Sequence, residues 1–108
     1  MKEGRRALAL VAHGRFVYAL GGYNGKSYMK SVERFDIETG RWESVRDMNR
    51  GRCTLAAAVH GDKIYVLGGF DGEPLREVEV YDIVKDEWRV CRSMGEKRFM
   101  HAAVVMTV

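Results

Sequence analysis

An internal repeat constrains this chain more than any other feature of its sequence. The run VYALGG at 17–22 returns as IYVLGG at 64–69, a period of 47 residues. The period falls to 46 further along, because the second copy is one residue shorter in the stretch that corresponds to 26–31. A length change confined to one glycine-containing stretch is typical of a surface loop. A period of about 20–50 residues indicates a solenoid, a propeller or an array of small units.

The local signals within each period are those of short β-strands. The run LAAAVH, a Gly-Asp pair and then KIYVLGG predict a hairpin with a tight turn, and REVEVYDI alternates polar and apolar side chains as a strand does. No stretch keeps the period of about 3.6 residues that marks an amphipathic helix. We therefore predict two four-stranded antiparallel meanders, with strands at 7–13, 16–21, 31–37 and 41–46, and at 54–60, 63–68, 77–83 and 87–92.

The sizes of the side chains predict wedge-shaped units. The first strand of the second unit contains Ala56, Ala57 and Ala58, which suit a crowded centre, whereas the outer strands carry Trp42 and Trp88. Wedges of four-stranded sheet packed side by side form a β-propeller. We therefore predict an all-β fold of two blades plus one extra strand, a partial propeller, with units at 1–53 and 54–99 and the first strand of a third unit at 100–108.

The ordered residues of this repeat resemble the kelch motif over essentially the whole chain. They are Gly21-Gly22, Phe35-Asp36, Trp42, Met48 and Arg52 in the first copy, and Gly68-Gly69, Tyr81-Asp82, Trp88, Met94 and Arg98 in the second. Phe35 departs from the motif because it lacks the hydroxyl of the usual tyrosine. Propellers have about four to eight blades, so the resemblance implies a segment of a larger propeller. The alternative is a unit that forms a homo-oligomer, such as a trimer, to complete the ring.

Two phrases narrow the resemblance further. SVERFD and EVEVYD are most similar to the repeats of BTB-kelch proteins, which are substrate adaptors of cullin-3 ubiquitin ligases. This similarity implies a non-enzymatic module that binds a protein or peptide, with cullin-3 contacted only through a BTB region outside these residues. The alternatives are an actin-associated kelch protein and an enzyme built on a kelch-type propeller. The resemblance implies no cofactor. We expect a cytoplasmic protein, with nuclear or cytoskeletal locations as alternatives.

Meander topology places the loops of each unit, and the resemblance implies which of them bind a partner. The loops after the second and fourth strands of each unit open on one side of the ring, here called the rim. In the resembling adaptors, substrate peptides bind this rim through residues after the glycine pair and after the repeated arginine. Carried over to this sequence, these residues are Tyr23, Asn24, Cys53, Thr54, Phe70, Asp71, Phe99 and Met100.

Basic residues extend the predicted site and indicate the charge of its ligand. They are Arg50, Arg52, Lys97 and Arg98. Because a guanidinium forms paired hydrogen bonds with a carboxylate, an arginine-rich rim predicts an acidic peptide. The alternative for Arg52 and Arg98, which recur, is a structural role that attaches one blade's loop to the next. The alternative for Arg50 and Lys97 is an ordinary solvated loop.

The remaining chemistry of the sequence is sparse. The formal charge of +3 is weak support for nucleic-acid binding, and no apolar run approaches the length of about 20 residues that a membrane span needs. The histidines lack the spacing of metal ligands, so no metal site is predicted. Cys53 and Cys91 predict free thiols in a reducing compartment. For Cys53, next to Arg52, the alternative is a redox-sensing thiol.

Overall fold

The computed structural model describes residues 4–75 and 77–91, without the side chain of Cys91. This part of the chain contains eight five-residue strands and no helix. The strands are β1 (Ala9–His13), β2 (Phe16–Leu20), β3 (Val32–Asp36), β4 (Arg41–Val45), β5 (Ala56–His60), β6 (Lys63–Leu67), β7 (Val78–Asp82) and β8 (Glu87–Cys91). Each observed strand lies within its predicted span, so the all-β prediction is confirmed. The extra strand predicted at 100–108 lies outside the described residues.

The strands form two antiparallel meanders. One sheet has the order β1-β2-β3-β4 and the other β5-β6-β7-β8, and we call them sheet 1 and sheet 2. Each opens with a two-residue hairpin turn whose first residue is a glycine of positive φ, Gly14 at 59° and Gly61 at 60°. Such a turn matches the twist of the flanking strands. The repeat in the sequence is therefore a repeat of whole sheets.

The connections between the third and fourth strands also repeat. The carboxylate of Asp36 accepts hydrogen bonds from the backbone N–H groups of Glu38 and Thr39. Asp82 does the same for the two equivalent residues of sheet 2. Aspartate favours such turns because its short side chain reaches its own backbone two residues on. These short turns lie on the side of the sheets opposite the rim.

The two sheets pack through non-equivalent faces. Tyr18, Leu20 and Val32 of sheet 1 lie in one core cluster with residues of sheet 2, including Ile64, Val66 and Tyr81. The repeat equivalent of Tyr18 is Tyr65, which belongs to a separate cluster with Val78 and Val80. Successive sheets thus stack in the same sense, and β1 and β5 lie beside each other at the inner edge. This arrangement is that of two blades of a partial propeller.

Polar contacts join the two sheets along the outer edge. The indole N–H of Trp88 donates to the carbonyl oxygen of Arg46 at 2.8 Å. The backbone N–H of Arg46 donates to the Asp86 carboxylate at 3.2 Å, which also accepts from the hydroxyl of Tyr81. The end of β4 is therefore attached to sheet 2 by main-chain and side-chain bonds.

Within the described ranges, no helix is long and apolar enough to cross a membrane.

Candidate functional site

The rim is built by two equivalent pairs of backbone segments. Arg6 and Tyr23 exchange N–H to carbonyl hydrogen bonds of 3.1 and 2.9 Å. Cys53 and Phe70 exchange two bonds of 2.9 Å. In each pair, the residue that follows the repeated arginine meets the residue that follows the glycine pair. The structure therefore brings together the two kinds of loop that the sequence assigned to one rim.

The glycine pairs make these close approaches geometrically allowed. Gly22 and Gly69 have φ of 109° and 101°. A Cβ atom on Gly22 would lie 2.9 Å from the carbonyl oxygen of Arg6, and one on Gly69 would lie 2.8 Å from that of Cys53. Only glycine tolerates both the positive φ and the neighbouring backbone. The segment that enters each sheet can therefore lie directly on the end of the second strand.

Aromatic rings from both sheets meet at the rim. The rings of Tyr23 and Tyr28 are 5.2 Å apart, and those of Tyr28 and Phe70 are 5.8 Å apart in an edge-to-face arrangement. The guanidinium of Arg6 lies 5.5 Å from the centre of the Tyr23 ring. These side chains surround a cavity of about 260 Å³, which we call the aromatic depression, lined by Arg6, Ala7, Tyr23, Tyr28, Cys53 and Phe70.

The repeated arginine points inward, below the rim. The Arg52 side chain is 0 % exposed and pairs with the fully buried carboxylate of Glu79. It also donates to the carbonyl oxygen of Gly68 at 2.8 Å and to the carboxylate of Glu77 at 2.9 Å. The equivalent Arg5 donates to the carbonyl oxygen of Gly21 and to the Glu33 carboxylate, both at 2.9 Å.

Because its guanidinium is buried and bonded on the inside, Arg52 is not accessible to a peptide. It has the structural role that the sequence left open as the alternative.

The sequence comparison agrees with this repeated architecture. The profile of the Kelch motif matches residues 4–49 and again 51–95. The chain belongs to the kelch family. Each match spans one sheet together with the arginine segment that precedes it, so the two sheets are two kelch blades. Kelch repeats generally bind other proteins, and the fold is typically an interaction module rather than an enzyme.

Arg50 lies at the surface of the kelch rim but is already paired. Its side chain is 49 % exposed, and its guanidinium nitrogens lie 3.5 Å from the Glu77 carboxylate and 3.7 Å from the Asp71 carboxylate. Asp71 is a predicted site residue whose charge is thereby partly neutralised. This corner of the rim is therefore an ion-pair cluster, in which an acidic ligand would compete with residues of the chain.

The other predicted residues occupy varied positions. The Asn24 side chain accepts the backbone N–H groups of Lys26 and Ser27, both at 2.9 Å, so it shapes its own loop. Thr54 is exposed and has a φ of 51°, an unusual value for a β-branched residue. Its backbone N–H donates to the carbonyl oxygen of Ala7, joining the blades at 2.7 Å. Four predicted residues lie outside the described part of the chain: Lys97, Arg98, Phe99 and Met100.

Three residues that line the aromatic depression were absent from the predicted site: Arg6, Ala7 and Tyr28. Arg6 and Ala7 occupy the repeat positions of Cys53 and Thr54, so both follow from carrying the pattern back by one unit. Tyr28 lies in the loop whose length differs between the copies, and its equivalent in the second blade is the non-aromatic Pro74. Its place beside Phe70 follows only from the packing of the two blades.

The side chains that could perform other chemistry are dispersed. His13 contacts the Asp62 carboxylate at 3.2 Å across the blade boundary, on the side away from the rim. Cys53 is buried and free, with its sulfur 3.3 Å from the hydroxyl oxygen of Thr54. No group of three histidine, cysteine or acidic residues within the described ranges could hold a metal ion. The aromatic depression therefore offers a ligand an aromatic surface with the guanidinium of Arg6 at its edge.

Proposed function

We propose that this chain is the substrate-recognition part of a kelch adaptor and that it binds its protein partner through the rim. The aromatic depression is the observation that carries this proposal. Phe70 remains 38 % exposed although it is large and apolar, and both blades contribute rings to the same surface. Large exposed aromatic residues in one patch are typical of sites that bind other proteins.

The side opposite the rim is a weaker candidate. Its connections are short turns whose hydrogen bonds are satisfied by their own aspartates. A cavity on this side has a single aromatic residue, Tyr65, and its other large side chains are mostly charged or polar, such as those of His60 and Lys63. Binding energy in protein interfaces concentrates in buried aromatic residues and arginine rather than in solvated lysine or aspartate. The chemistry of the two sides therefore favours the rim.

The connection to a ubiquitin ligase rests on the similarity of SVERFD and EVEVYD to the repeats of BTB-kelch adaptors. In this proposal the rim holds the substrate, and cullin-3 is bound by a BTB region elsewhere in the protein. Co-purification of the natural full-length protein with cullin-3 tests this part. A full-length protein that lacks a BTB region and does not bind cullin-3 would contradict the adaptor role while leaving the rim as a binding surface.

Peptide selection followed by mapping tests the rim itself. A random library of peptides displayed on phage is selected against the 108-residue chain, and amide chemical shifts are recorded with each enriched peptide. We expect the shifts of Tyr23, Cys53 and Phe70 to change and those of His60 and Lys63, on the opposite side, to stay constant. Peptides that perturb only the opposite side, or no enrichment at all, would contradict the proposal.

A further inference from the structure

We propose that the aromatic depression selects a partner segment in which one bulky apolar side chain lies next to a carboxylate. This inference rests on the proposed function, because it names the chemistry of the partner that the same rim binds. It also replaces the expectation of a broadly acidic peptide with a narrower one. Three properties of the depression support it, namely its lining, its charge and its position between the blades.

The lining of the depression suits a single apolar anchor. Its walls are the rings of Tyr23, Tyr28 and Phe70, and its small side chains are those of Ala7 and Cys53. A volume of about 260 Å³ is less than that of typical small-molecule pockets. It offers room for one large side chain, which could pack against the edge-to-face rings. An aromatic or branched aliphatic residue is therefore the chemistry that the lining accepts.

The charge at the edge of the depression comes from Arg6. Two backbone hydrogen bonds to Tyr23 fix its main chain, and its guanidinium lies over the Tyr23 ring. No carboxylate pairs with Arg6 in the part of the chain that the structure describes, whereas Arg50 nearby is paired with Asp71 and Glu77. A ligand carboxylate beside the apolar anchor can therefore bind Arg6 without displacing an existing ion pair.

The depression lies across the boundary between the blades. Tyr23 and Tyr28 come from the loop that follows β2, and Phe70 comes from the loop that follows β6. The bond from the Thr54 N–H to the Ala7 carbonyl oxygen holds the two inner edges together at 2.7 Å. The walls are thus already positioned before a ligand arrives, which lowers the entropy cost of binding.

Four labelled peptides test the inference by fluorescence polarisation. Each has a neutral Gly-Ser background of nine residues with a central Asp-Phe, Asp-Ala, Lys-Phe or Ala-Phe pair. We expect the Asp-Phe peptide to bind the 108-residue chain at least about tenfold more tightly than the Asp-Ala peptide, because it alone of these two has the anchor. We expect it to bind about three- to tenfold more tightly than the Lys-Phe peptide, with the Ala-Phe peptide between them.

Matched variants assign each preference to its residue. Phe70→Ala should weaken binding of the Asp-Phe peptide about tenfold, while Val84→Ala, an exposed apolar residue away from the rim, should leave it unchanged. Arg6→Ala should make the Asp-Phe and Lys-Phe peptides bind alike. Arg15 is an exposed cation on the side opposite the rim, so Arg15→Ala should preserve the preference for the Asp-Phe peptide. Phe70→Leu preserves an apolar wall and should retain binding. A circular dichroism melt of Phe70→Ala that matches that of the unchanged chain shows that its loss of binding is not a folding defect.

The outcomes separate this inference from the proposed function. Equal binding of the Asp-Phe and Asp-Ala peptides, or a charge preference that survives Arg6→Ala, would overturn the inference. Absence of binding by all four peptides would overturn it too. The proposed function would survive either result if selected peptides still perturbed Tyr23 and Phe70. It would fail if selected peptides mapped only to His60 and Lys63.

Discussion

The buried guanidinium of Arg52 shows how single residues hold a kelch blade together. Removing a charge from water is costly unless it is paired and hydrogen-bonded. Arg52 is paired with the carboxylate of Glu79 and donates to the carbonyl oxygen of Gly68. Arg5 and Glu33 make the equivalent pair in the first blade. The segment that enters each blade is therefore fixed by a charge pair inside the sheet that follows it.

Breaking this pair should be costly. Arg52→Met leaves the Glu79 carboxylate buried without its cation, so we expect the free energy of unfolding to fall by about 3–5 kcal/mol. Arg50→Met is the matched control, since Arg50 makes its ion pairs at the surface, and it should lower that free energy by less than about 1 kcal/mol. Urea denaturation followed by circular dichroism measures both. Similar losses in the two variants would mean that burial of the charge does not matter.

Asp86 gives the molecule an acid-sensitive contact. The hydrogen bond from the Tyr81 hydroxyl, together with that from the Arg46 N–H, lowers the pKa of the Asp86 carboxyl below its usual value. A lowered pKa in the folded state stabilises the fold above the unfolded pKa of about 4 and loses that contribution as the pH falls below it.

The corresponding variant is Asp86→Asn, which keeps the shape of the side chain and tolerates the φ of 54° at this position. Because the amide does not titrate, we expect the melting temperature of the variant to fall less between pH 6 and pH 3 than that of the unchanged chain. Tyr81→Phe, which removes the main cause of the lowered pKa, should also reduce the fall. An unchanged pH profile in Asp86→Asn would contradict the assignment.

At the scale of elements, the strands and the meeting of the rim loops could be predicted from sequence. Strands and tight turns depend on residues only a few positions apart, and the repeat gave the pattern of each strand twice. Every observed strand therefore lies within its predicted span. The role of Arg52 was harder to predict because its partner Glu79 is 27 residues away. Only the register of β6 and β7 places that carboxylate under the rim. Tyr28 lies in a predicted rim loop but was not among the predicted binding residues, because its neighbour Phe70 belongs to the other blade.

The glycine at the end of the second strand sets how closely two elements approach. Gly21 and Gly14 have similar φ values of 62° and 59°, but only at Gly21 would a Cβ atom meet backbone, the Arg52 carbonyl oxygen. Gly14→Ala should therefore lower the free energy of unfolding by only about 1–2 kcal/mol, which is the cost of placing a non-glycine residue in the left-handed region. Gly21→Ala should cost more than about 3 kcal/mol. Thermal melts compare the two variants, and equal losses would show that the segment can move away from the strand.

At the scale of the whole molecule, the two blades differ in how they meet a neighbour. Tyr81 and Asp86 connect sheet 2 to the end of β4, whereas the equivalent positions of sheet 1 are Phe35 and Gly40, which lack both polar groups. The face of sheet 1 that carries Leu10 is turned away from sheet 2, and Leu10 is 62 % exposed. Of the two faces of sheet 1, the one packed on sheet 2 is therefore the one with polar bonds to a neighbouring blade.

This boundary should make the two blades unfold together. Their main core cluster draws side chains from both sheets, including Tyr18 and Tyr81, whose rings meet edge to face at 6.3 Å. Trp42 lies on β4 and Trp88 on β8, so each tryptophan reports on a different blade. We expect the Trp42→Phe and Trp88→Phe variants each to show one urea transition, with the same midpoint by fluorescence and by far-ultraviolet circular dichroism.

The two variants should differ from each other in stability. Trp88→Phe loses the hydrogen bond from the indole to the Arg46 carbonyl oxygen, so its free energy of unfolding should be lower by about 1 kcal/mol than that of Trp42→Phe. If the fluorescence midpoint departs from the circular dichroism midpoint in either variant, the blades unfold separately. Each blade would then be a stable unit in its own right, as in a linear repeat array with weak interfaces, and the shared core would not be what holds the rim in place.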